Sequence, residues 1–68
     1  MELKIKEAEK LSLSDLESAV RALKISIRNG IKFGQKRIVR NDNKDYGCLS
    51  ASFEVAHTGK SYIISKIN

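Results

Sequence analysis

Sixty-eight residues with 13 Lys and Arg against 8 Asp and Glu, a net charge of +5, suffice for one small domain spanning 1–68 and no more. With 41% apolar and 31% charged residues, the composition is that of a folded chain and excludes a disordered tail. One cysteine, Cys48, excludes an internal disulfide framework and points to a reducing cytosol, and no apolar run approaches the ~20 residues of a membrane-spanning helix.

The N-terminal segment alternates. Leu3 and Ile5 are interleaved with Glu2, Lys4 and Lys6, the period of two of a short strand. These charges, with Glu7, Glu9 and Lys10, also leave no apolar stretch for a secretory leader. Glu7, Ala8, Glu9 and Lys10 favour helix.

The next segment carries a helix signature. Ser14 and Glu17 have the S-x-x-E spacing of a capping box, so the expected start is near Asp15. Leu16, Val20, Leu23 and Ile27 recur at helical spacing with Ala19 beside them, and this stripe is the expected core face. Asn29 and Gly30 stop the helix, since glycine adopts the left-handed conformation that ends one. Arg21, Lys24 and Arg28 form a second row beside the apolar stripe.

Beyond the helix, Gly34 permits a turn before a strand at 36–40, and 41–45 form a polar turn rich in Asn and Asp. Strand character resumes at Tyr46, where Leu49, Ala51, Phe53 and Val55 alternate with mostly polar residues. Thr58 and Gly59 turn the chain into a last strand at 61–67. Pairing His57 with Lys60 sets Val55 opposite Tyr62 and Phe53 opposite Ile64. Ile63 and Ile67 then fall on the other sheet face, where they form a candidate protein interface. The expected fold is α+β: one amphipathic helix on a three- or four-stranded antiparallel sheet, in the order β-α-β-β-β.

Several chemical motifs fail on spacing. Gly59, Lys60 and Ser61 resemble the end of a phosphate-binding loop, but Glu54 stands where its first glycine belongs. Asn41, Asn43 and Asp45 have the alternation of a calcium loop, yet Tyr46 replaces its glycine and Ser52 its bidentate Glu. A lone His57 and a lone Cys48 are too few for a zinc site, and nine residues of extended chain separate them by about 30 Å. No catalytic residue, metal or cofactor is expected, and no RNA-recognition, KH, zinc-finger or helix-turn-helix pattern is present.

The charge distribution is the functional clue. Between Glu17 and Asp42 the chain holds Arg21, Lys24, Arg28, Lys32, Lys36, Arg37 and Arg40 and no acid. Solvated helices ordinarily mix both signs, so this block implies a positive face for a polyanion. The expectation is a small cytoplasmic, non-enzymatic binding protein that grips nucleic acid mainly by its phosphates. The alternative is an inhibitor or modulator, of the kind phages and mobile elements encode, that docks on an acidic protein or ribonucleoprotein surface. A homodimer through open sheet edges is compatible with both.

Overall fold

A computed structural model describes residues 2–42 and 49–67. Strand β1 (Glu2–Ile5) leads through a single 3-10 turn at Ala8–Lys10 into helix α1 (Leu13–Arg28), followed by β2 (Lys36–Val39), β3 (Ser52–His57) and β4 (Ser61–Ile67). The fold is α+β, with one α-helix against a four-stranded sheet ordered β1-β4-β3-β2. Residues 43–48 lie outside the described residues, and with them Cys48 and the expected strand start at Tyr46.

The sheet is mixed, which corrects the antiparallel expectation. β2–β3 and β3–β4 pair antiparallel, but β1 pairs parallel with β4. The cause is connectivity. A helix of 16 residues carries the chain back along the sheet, so β2 runs in the direction of β1, and two reversals return β4 to that direction too. Alternation of side chains reports faces and carries no information about strand direction.

The register of the last hairpin also differs, by two residues. His57 faces Tyr62 and Val55 faces Ile64, because Thr58 closes the turn: its N–H donates to the Ser61 carbonyl at 2.9 Å and its Oγ1 accepts from Ser61 N at 3.1 Å. That leaves a two-residue loop, Gly59 and Lys60, with Gly59 at φ +91°. A shift of two preserves every face assignment.

Helix α1 starts a half-turn earlier than the Ser14–Glu17 spacing implies. Ser12 is the cap, with its Oγ accepting from Asp15 N at 3.1 Å. At the other end the expected stop holds: Gly30, at φ +78°, donates to the Ile27 carbonyl while Ile31 N donates to Ser26, the paired bonds of a Schellman motif.

The rotation of α1 is the largest correction. Its buried face is Asp15, Ser18, Ala19, Ala22, Ile25 and Ser26, not the Leu16, Val20, Leu23 and Ile27 stripe. Ile27 is 50% exposed and Leu13 73%, and Leu16 and Leu23 are only half-buried. Size decides this. Ala19 and Ala22 let the helix backbone approach the sheet, whose Phe53, Val55, Ile64 and Val39, with Leu49 and Ala51, supply the bulk of the core.

A polar cluster fixes the helix start on the sheet. Asp15 accepts from Lys66 Nζ at 2.8 Å and from Ser50 Oγ at 2.5 Å, and Ser50 N donates to Ser18 Oγ at 2.9 Å. The bonds from Lys66 and Ser50 hold the Asp15 carboxyl below the ordinary Asp value of about 3.9.

Two expectations follow for stability. Ala22→Leu should cost about 1–3 kcal/mol by overpacking, whereas Leu13→Gln and Ile27→Gln should each cost about 0.5 kcal/mol or less, as read by urea unfolding. Because folding lowers the Asp15 pKa, its contribution is present above the unfolded value and lost as pH falls through the folded one. Asp15→Asn should therefore lower the urea midpoint at pH 7, and the gap from wild type should close in acid, below the ordinary carboxylate range.

Candidate nucleic-acid interface

Registers bring three separated pieces of chain to one end of the domain. Lys36 opposes Ala56 at the start of β2, and His57 opposes Tyr62 where β3 gives way to β4. The loop after α1 is tied to this end, since Gly34 N donates to the His57 carbonyl at 2.8 Å and His57 N donates to Gln35 at 3.0 Å. An Arg37 guanidinium nitrogen reaches the Asn29 carbonyl at 3.5 Å, bringing the C-terminus of α1 to the same place.

Five exposed cations therefore gather there: Arg28, Lys32, Lys36, Arg37 and Lys60. The first four belong to the expected basic block, and Lys60 joins them from the hairpin turn. Arg28 and Arg37 sit where the helix macrodipole is negative, an arrangement that favours them electrostatically. Lys36 projects from the sheet face opposite to Arg37, because consecutive strand residues alternate, so the cations surround this end rather than share one flat face.

The remaining block members are placed differently. Lys24 and Arg21 extend the row along the outward side of α1, about 6 Å and 10 Å from Arg28 by helical rise. Arg21 is engaged in an interaction of its own. Arg40 follows the far end of β2, where Asn41 N bonds Ser52 Oγ, and is separated from the others. Lys24, Arg28, Lys32, Lys36 and Arg40 form no ion pair with a described residue; ion pairs occupy Lys10 with Glu7 and Lys66 with Asp15.

An aromatic residue absent from the expected site stands among these cations. Phe33 is 73% exposed. The Cδ2–Cε2 edge of its ring abuts Gly59, where an added Cβ would come within 2.0 Å of Phe33 Cε2, and the ring stands nearly perpendicular to that of His57, at 6.1 Å and 84°. His57 in turn packs on Tyr62 at 4.7 Å. The sequence holds one signal of this: Phe33 sits between Lys32 and Gly34, in a turn rather than in an alternating strand.

Ile63 and Ile67 lie where expected, on the sheet face away from α1, and the 55%-exposed Ile38 shares that face. At the opposite end a cleft of about 700 Å³ is lined by Lys4, Lys6, Lys10 and Lys66 with Glu7 and Glu9. Two of those lysines are already ion-paired, and among the described residues no aromatic lines the cleft. Among the described residues no group of three His, Cys, Asp or Glu side chains comes together as a metal site, and no helix is long and apolar enough to cross a membrane. No protein-family model, curated protein or solved structure gives a significant match to the chain.

Gly59 should be irreplaceable here. Gly59→Ala places a side chain at φ +91° and against the Phe33 ring, so the expected outcome is a loss of about 1 kcal/mol or more in urea unfolding, together with altered ring-current shifts of His57 by NMR.

Proposed function

We propose that this domain is a non-enzymatic binding module that docks on the phosphate backbone of nucleic acid with the end carrying Arg28, Lys32, Lys36, Arg37 and Lys60, and with Lys24 and Arg21 alongside. One observation carries this: cations from the helix, the following loop, β2 and the β3–β4 turn converge there, and Glu2 is the acid that the β1–β4 pairing brings near them. Cations gathered at one end attract a polyanion and release its condensed counterions. Phosphate contacts set position and carry no sequence information, so weak sequence preference is the corollary. A single thiol suits a cytoplasmic home.

A second reading rests on a different observation. Leu13, Val20 and Ile27 face outward on α1 next to Lys24 and Arg28, a half-apolar, half-basic face suited to an acidic protein or ribonucleoprotein surface. Ile63 and Ile67 on the sheet's far face, or the open edges β1 and β2, suit a protein partner or a second copy in the same way. An inhibitor or modulator would use such surfaces, and its partner would persist in a pull-down after nuclease digestion.

Anisotropy titration of labelled DNA and RNA decides between them. With four or five phosphates neutralised, affinity should fall roughly 50-fold or more between about 50 and 200 mM salt. Arg28→Ala with Lys32→Ala should reduce the slope of log K against log salt by about 1.5, and Arg40→Ala should leave it unchanged. Salt-independent affinity, or no binding at low salt, would remove the proposal.

A further inference from the structure

The phosphate-binding end contains a feature that phosphate contacts do not use. Phe33 gains the fold little by burial, since most of it faces water. Scattered apolar side chains are common on protein surfaces, but this one is held in place. Its loop is closed by Lys32 N donating to Gln35 Oε1 at 2.8 Å, Gln35 N to the Lys32 carbonyl at 3.0 Å, and Gly34 N to His57. Gly34, at φ +82°, and Gly59, at φ +91°, supply backbone conformations that a side chain would strain. The ring is thus held along one edge by Gly59 and set nearly perpendicular to the His57 ring, while 73% of the residue stays exposed.

An exposed, positioned aromatic ring next to Lys32 in the chain and against the turn that carries Lys60 is the arrangement by which single strands are held, with cations tracking the phosphates while a base stacks on the ring. In a duplex the faces of the bases are covered by their neighbours and only their edges line the grooves. We infer that Phe33 seats an unpaired nucleobase, so that the ligand class of this end is single-stranded nucleic acid. The inference rests on the phosphate-binding reading above and adds to it a discrimination between paired and unpaired strands. Pre-organisation matters for the strength of the contact, since a ring already fixed loses no rotamer freedom on binding. The contact of the ring edge with the turn explains the turn's chemistry: a residue other than glycine at position 59 would occupy the space in which Phe33 lies.

The test compares three probes of equal length on the full chain: a single strand, its duplex, and an abasic phosphodiester strand. Wild type should prefer the single strand over the abasic strand by about 5-fold or more, the range for one stacked base. Phe33→Ala should bring the two to the same affinity with an unchanged salt slope, and Phe33→Trp should restore the preference. Phe33→Leu keeps apolar cover over Gly59 without a π face and should behave like Phe33→Ala, with thermal melting confirming that each variant is folded. Equal binding of wild type and Phe33→Ala to the single strand, or an abasic strand bound as tightly as a base-bearing one, overturns the stacking role while leaving salt-dependent phosphate binding intact. No salt-dependent binding to any probe removes both proposals.

Discussion

Close approach of α1 to the sheet through Ala19 and Ala22 governs the rest of this molecule. Both residues are fully buried against a layer whose volume comes from the strands, from Phe53, Val55, Ile64 and Val39. In a chain of 68 residues a helix with a bulky inner face would hold the backbone further away and leave a layer the sheet could not fill. Small residues on the helix and large ones on the strands give a dense interface from few side chains. The consequence is a fixed helix rotation, and rotation determines what each remaining side chain meets.

The same rotation sets the polar framework. Asp15 and Ser18 point at the sheet instead of at water, and they find Lys66 and Ser50, residues distant in sequence. A carboxylate turned inward without those partners would be costly, so the cluster and the alanine face act together: one permits the approach and the other fixes its register along the helix. With the inner face so committed, Leu13, Val20 and Ile27 have no interior left to fill, and α1 presents an aliphatic strip beside a basic row.

The candidate site lies where the ends of several elements meet. Edge strands and hairpin turns at one end bring together Arg28, Lys32, Lys36, Arg37 and Lys60, which span more than thirty positions in the sequence. Gly59 has two roles there: its positive φ closes the turn, and its missing side chain makes room for Phe33. Fold and candidate site therefore share one constraint at that position, and a change to the turn is a change to the aromatic surface.

The amino-acid order by itself determined the α+β class, the helix stop at Gly30 and the sheet faces of the last hairpin, because these follow from local propensity and a period of two. It also showed the basic block, since charge is read directly from residue type. Only tertiary structure decided the helix rotation, as two overlapping patterns on α1, four aliphatics and a run of small residues, both have helical spacing, and the sheet's volume selects between them. Strand direction, the two-residue hairpin shift and the sorting of Arg40 away from Arg37 likewise came from connections and closure. Phe33 was legible as a residue in a turn but not as a surface: its ring edge meets Gly59 and its ring stands across that of His57, and only the return of the last hairpin brings them beside it.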